Sequence, residues 1–160
     1  MRPFSELDNI SLPIKSHRKI SKTPFKVLDA PHLKDDYYLN LLDWSEQNVL
    51  AVGLASNIYL WSASTQEVKR LTDLGAETSV SAISWSGKGV HIGIGTSDGS
   101  CQIWDTVKHK MVRNMPGHSY RVGAISWAGP IIASGSRDKT IMLRDFRDPK
   151  DSIQTLTGHR

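Results

Sequence analysis

His118, Ser134 and Asp138 are a base, a hydroxyl and a carboxylate, the residue types of a hydrolase triad in which an imidazole activates a serine and a carboxylate orients it. Gly93, Gly95 and Gly99 in GIGTSDG suggest a phosphate-cradling loop. Their spacing departs from GxGxxG and no helical pattern follows, so Asp98-Gly99 reads instead as the turn of a hairpin. The six histidines are scattered without ligand spacing, and the single cysteine, Cys101, excludes a cysteine-based zinc cluster, so no metal and no cofactor is expected. Thr23-Pro24, between Lys22 and Lys26, suits a proline-directed kinase, whose phosphate would lower the local positive charge. The basic cluster from Lys15 to Lys26 fits nuclear import, an electrostatic contact or plain solubility.

The chain has 160 residues, 39% of them hydrophobic, and a net charge of +4 from 20 basic and 16 acidic residues. The excess is local. Met1 to Leu28 holds six basic residues (Arg2, Lys15, Arg18, Lys19, Lys22, Lys26) against Glu6 and Asp8, and the rest is balanced. A nucleic-acid-binding face needs a surplus of cations on the folded part, and none is there. Apolar runs are too short for a membrane span, the first residues lack a signal-peptide pattern, and one cysteine forms no internal disulfide. An intracellular soluble protein of nucleus and cytoplasm is expected, without nucleic-acid or membrane partners.

Any such chemistry must be positioned by elements of one kind. Residues 1–30, with Pro3, Pro13 and Pro24 and no acidic residue between Asn9 and Leu28, read as an extended or disordered leader. From residue 31 onward, short runs of Val, Ile, Leu and Trp alternate with Gly, Asn, Asp and Ser, the signature of strands and turns. LLDWS, AISWS and AISWA place Trp44, Trp85 and Trp127 at near-constant spacing; Trp61, Trp104 and Arg144 form a second series, and Gly117-His118 and Gly158-His159 a third. A period of ~40 to 45 residues with Gly-His and Trp-Asp marks is that of the WD repeat, one four-stranded propeller blade per unit.

The fold class is therefore all-β, a β-propeller of WD-repeat type with three blades over residues 31–160. Strands are expected at Leu39–Trp44, Val49–Gly53, Ile58–Trp61 and Val68–Leu71; at Val80–Trp85, Val90–Gly95, Ser100–Trp104 and Lys110–Met115; and at Arg121–Trp127, Ile131–Ser134, Thr140–Leu143 and Ile153–Thr157. His159 then opens a fourth unit. Closed propellers have ~4 to 8 blades. Three blades are thus expected to be the N-terminal arc of a larger ring, with completion by another chain the lesser alternative. In this frame His118, Ser134 and Asp138 become a structural tether, with Arg144 standing where the repeat has Trp. The second repeat keeps Asp98 and Trp104 but has Ala76 near the His position, and the first keeps Trp61 with Ala55 at the Asp position.

The stretch RKISKTPFKVLDAPHLKDDYYLNLLDWSEQNVLAVGL, from Arg18 to Leu54, followed by IYLWSAST and later by GHSYRVGAISW and SGSRDKTIMLRD, resembles the fizzy and fizzy-related family, with RKISKTPFKVLDAP and YLNLLDW leaning to the fizzy-related branch. These are co-activators that bring substrates to the anaphase-promoting complex, a ubiquitin ligase. The resemblance implies a seven-bladed, non-enzymatic propeller that reads degrons in substrates such as cyclins, among them the destruction box, an Arg followed three residues later by Leu. It implies a degron site at Leu28, Asp29, Trp61 and Val68: an apolar pocket for the Leu and a carboxylate for the Arg. The family's Asp-Arg-Tyr-Ile-Pro-type box does not occur before Arg18, and its Ile-Arg tail is absent from these 160 residues. A generic WD-repeat scaffold and a non-functional truncated paralogue are the alternatives.

Overall fold

In the computed structural model the described residues are 18–148 and 154–159. They contain twelve strands and no helix: β1 (Leu42–Trp44), β2 (Val49–Leu54), β3 (Asn57–Ser62), β4 (Val68–Asp73), β5 (Val80–Trp85), β6 (His91–Thr96), β7 (Cys101–Asp105), β8 (Lys110–Met115), β9 (Val122–Ala128), β10 (Ile131–Ser136), β11 (Thr140–Asp145) and β12 (Gln154–Thr157). They form three antiparallel sheets in the orders β1-β2-β3-β4, β5-β6-β7-β8 and β9-β10-β11-β12. Each sheet is one blade.

The observed strands begin and end within three residues of the expected ones, and the largest difference is at the first. Leu39 to Leu41 were expected in β1, but Asn40 instead makes a parallel bridge to Ala82 of the next blade, its N–H donating to Ser81 O and its carbonyl accepting from Ile83 N–H. The chain crosses there from the second blade to the first. Ile153, expected to open β12, lies outside the described residues, as do 1–17 of the leader. Residues 18–30 carry no strand and no helix.

Side chains alternate across each blade with the period of two that a pleated strand imposes. In blade 1, Ala51, Ile58, Leu60 and Leu71 face blade 2 and are buried against Val80, Ile83, Trp85, Ile92 and Ile94. The next interface repeats the pattern, with Ala82, Cys101, Ile103 and Met115 meeting Val122, Ile125 and Ile132. Each fully buried aliphatic side chain contributes about 1.5–3 kcal/mol. The core thus lies between blades rather than within one. Small residues make the fit. A Cβ on Gly53 would stand 2.8 Å from Val80 Cγ1, and one on Gly95 2.6 Å from Val122 O.

Tryptophans of the inner strands add a hydrogen bond to each interface. Trp85 Nε1 donates to Asp43 O and Trp127 Nε1 to Ser84 O, both at 3.1 Å, each reaching the inner strand of the preceding blade. Asp43 Oδ2 also accepts the Trp85 backbone N–H at 2.6 Å. These bonds explain the near-constant Trp spacing in physical terms: each indole must fall one blade after the carbonyl it reaches.

Candidate functional site

The register of blade 1 puts Trp44, Leu50, Trp61 and Val68 directly opposite one another on one face, with Leu42, Val52 and Tyr59 in the adjacent row. This face points away from blade 2. Across it runs the segment Val27–Leu33, which turns at Ala30–Leu33, where Leu33 N–H donates to Ala30 O at 3.3 Å. Pro31 and His32, the latter at φ 63°, fit the two central positions of a type II turn. Between segment and sheet lies a cleft of about 690 Å³.

All four residues that the family resemblance singles out line this cleft: Leu28 and Asp29 from the segment, Trp61 from β3 and Val68 from β4. Trp61 is 5% exposed and forms the floor, while Leu28 (37%) and Val68 (61%) stand open at its sides. Trp44 meets Trp61 edge-on, with ring centroids 5.8 Å apart, which holds the Trp61 ring in place. Asp29 is exposed and has no hydrogen-bond or ion-pair partner among the described residues. The chemistry available is therefore binding: apolar walls for an aliphatic side chain and one carboxylate for a cation. Leu33, Leu42, Leu50, Val52, Leu54 and Tyr59 also line the cleft and were not singled out from sequence. Strand alternation from Trp61 would have found those on β2 and β3.

The tether sits in blade 3. His118 Nδ1 is 2.9 Å from Asp138 Oδ2, and Nε2 is 3.0 Å from Ser134 Oγ. Asp138 also accepts from Ser119 N–H, Thr140 N–H and the Thr140 hydroxyl, tying the chain before β9 to the turn between β10 and β11. Burial alone would raise the Asp138 carboxyl, but the bonds from Thr140, His118 and Ser119 overcome it and hold the group well below the ordinary carboxylate range. The order Asp–His–Ser is that of a triad, but Ser134 is 1% exposed and His118 6%, so no substrate carbonyl reaches the hydroxyl. Arg144, 4% exposed, donates to Met115 O at 3.1 Å and Pro116 O at 2.7 Å, linking blade 3 to the end of β8 where the repeat places Trp.

Blade 2 does not assemble the same network. Asp98 accepts from the Thr96 hydroxyl and from Ser100 N–H, a local turn, and Trp104 Nε1 donates to Gln102 Oε1 at 3.0 Å without joining Asp98. The reason is substitution along the strand: Ile94 occupies the register position that Ser134 holds in blade 3, so the indole has no hydroxyl to reach. Gly99, at φ 92°, completes that turn. Thr23 is exposed, its N–H 3.3 Å from Ser21 Oγ. Cys101 is buried and its thiol pushed up to about 12 by desolvation. Among the described residues no three His, Cys, Asp or Glu side chains gather as metal ligands, and no helix is long and apolar enough to cross a membrane.

Comparison with known proteins agrees with this architecture. Residues 42–130, more than half of the chain, match the family model described as the anaphase-promoting complex subunit 4 WD40 domain. Protein FIZZY-RELATED 1 of Arabidopsis thaliana is 52% identical over 148 residues, which are 92% of this chain and 31% of that protein. Meiotic fizzy-related protein 1 of Schizosaccharomyces pombe is 49% identical over 152 residues, 95% of this chain and 36% of that one. A solved chain from the crystal structure of the mitotic checkpoint complex superposes with a TM-score of 0.85 at 42% identity, covering 89% of this chain and 45% of the other. The chain thus spans about a third of the length of the relatives it matches. Three blades and the inner-strand tryptophans agree with the match over more than half of the chain's length: the chain belongs to the WD40 family of that model, and it is similar throughout to part of the fizzy-related proteins.

Proposed function

We propose that this chain is the degron-reading part of a substrate-recognition adaptor for the anaphase-promoting complex. The observation that carries the reading is the cleft in which Leu28, Trp61 and Val68 surround an apolar space beside the Asp29 carboxylate, which has no partner among the described residues. A peptide with Arg and, three residues on, Leu matches it in chemistry: the Leu side chain enters the apolar part and the guanidinium meets Asp29. The description of the matching family model supports the assignment to that complex, and the family resemblance extends it to substrates such as cyclins. The adaptor contributes binding, and catalysis belongs to partner subunits. The leader cations between Lys15 and Lys26 support action in the nucleus as well as the cytoplasm, and phosphate at the exposed Thr23 would weaken that charge.

The test is peptide binding by fluorescence anisotropy with a labelled Arg-x-x-Leu peptide. Asp29→Arg is expected to weaken binding roughly tenfold or more, about 1.4 kcal/mol. Replacing the peptide's Leu by Ala is expected to act similarly through the apolar part. Unchanged affinity for both would remove the site. Labelling of Ser134 by a serine-reactive phosphonate would instead revive the hydrolase reading; none is expected.

A further inference from the structure

The segment that walls the degron cleft on blade 1 is held further along by a different blade. After Leu33 the chain leaves the cleft and meets all three blades in turn. Asp36 and Tyr38 touch Arg121, which opens blade 3, Asn40 bridges to Ala82 of blade 2, and Leu41 O accepts from Gly53 N–H of blade 1. Arg121 Nη1 lies 3.6 Å from Asp36 Oδ2, and its guanidinium carbon stands 5.3 Å from the centre of the Tyr38 ring. The other Asp36 oxygen accepts the Tyr38 N–H at 2.9 Å, and Leu39 N–H donates to Asp36 O at 3.0 Å, so one compact turn presents a carboxylate and a ring to the same cation. The base of Arg121 is fixed in its turn: Arg137 N–H donates to Arg121 O at 3.1 Å and the Ser136 hydroxyl to Tyr120 O at 2.9 Å. A Cβ on Gly123 would stand 3.2 Å from Tyr38 O, so the segment lies directly on β9.

We infer that Arg121 is a positioning residue for the degron cleft: it clamps residues 36–38 onto blade 3 and thereby holds residues 27–33 across blade 1. Only Lys34 and Asp35, both exposed, separate the clamp from the wall. Among the described residues no hydrogen bond or ion pair joins residues 27–35 to a strand, so the wall depends on apolar contact and on what anchors the chain downstream. A wall freed of the clamp has to be ordered by each incoming peptide, and that ordering is subtracted from the affinity. The effect on binding rests on the proposed reading of the cleft. The clamp itself does not, since Asp36, Tyr38 and Arg121 are not among the residues that line it.

Two measurements on the same variants test this: anisotropy with the labelled Arg-x-x-Leu peptide, and the mobility of a nitroxide attached at Lys34→Cys. Cys101 is 0% exposed and stays unlabelled. Arg121→Ala is expected to weaken the peptide roughly threefold to tenfold and to turn an ordered spin-label spectrum into a mobile one, with thermal unfolding close to that of wild type. Arg121→Lys, which keeps a cation over the turn, is expected to recover most of both. Asp36→Asn is expected to act in the same direction and to add nothing once Arg121 is Ala, because the two form one contact. If Arg121→Ala fails to fold, Tyr38→Leu and Asp36→Asn, both outside the strands, carry the same two readings. A label whose motion is unchanged in Arg121→Ala overturns the inference. So does wild-type affinity in that variant, or an affinity loss that merely follows a lowered melting temperature. If the wild-type chain itself does not bind the peptide, the degron reading falls, and the label alone decides whether Arg121 holds the segment.

Discussion

Asp138 accepts four hydrogen bonds from three residues, and its carboxyl is held low because protonation would break them. A group whose folded pKa is depressed contributes stability above its unfolded value, 3.8 here, and loses it as pH falls. The urea midpoint of the chain is therefore expected to hold down to about pH 5 and to fall below about pH 4. Asp145, held at about 2 chiefly by the hydrogen bond from Arg147, titrates in the same direction but at an exposed pair that salt screens. Asp138→Asn is expected to lower stability at neutral pH by roughly 1–3 kcal/mol and to flatten the acid limb, measured by urea unfolding across pH. An acid limb unchanged in the variant would assign it to other carboxylates. Asp138 and His118 were readable from sequence as partners because the repeat spaces them. That Ser134 is sealed was not, since burial depends on the neighbouring blade.

At the scale of the element, the joint between blades sets what each strand tolerates. Gly95→Val is expected to cost about 1–3 kcal/mol or more, because its side chain would have to displace the Val122 backbone. Gly135→Val, at the equivalent place on the open face of blade 3, is expected to cost a few tenths of a kcal/mol in the single chain, where its Cβ meets nothing closer than 3.7 Å. Thermal unfolding of the two variants side by side measures the difference; equal losses would mean that the glycine is needed by its own strand rather than by the joint. Trp127→Phe keeps most of the apolar contact and removes the bond to Ser84 O. A loss of about 0.5–1.5 kcal/mol is expected, read by the same melts. Strand positions were legible to within a few residues from the alternation of apolar side chains. The crossing of Asn40 to blade 2 was not, because a single parallel bridge leaves no periodic trace.

For the whole molecule, stability is a sum over joints, as in other repeat architectures where each unit contacts only its neighbours. Among the described residues, blade 2 packs against a neighbouring blade on both faces, and blades 1 and 3 each pack against blade 2. Hydrogen exchange is therefore expected to be slowest at β5, β6 and β7 and faster at β4 and β12, where every described β12 residue is exposed. Uniform protection across all three blades in the single chain would contradict this order.

The repeat period, the three blades, the hairpin turn at Asp98-Gly99 and the His118–Asp138 pairing were all written in the order of residues, because each follows from spacing along one chain. The family resemblance pointed to Leu28, Asp29, Trp61 and Val68, but nothing in their spacing brings residues 28 and 68 together. Folding does so, by laying the segment before β1 across the outer strands of blade 1 and leaving a cleft between them.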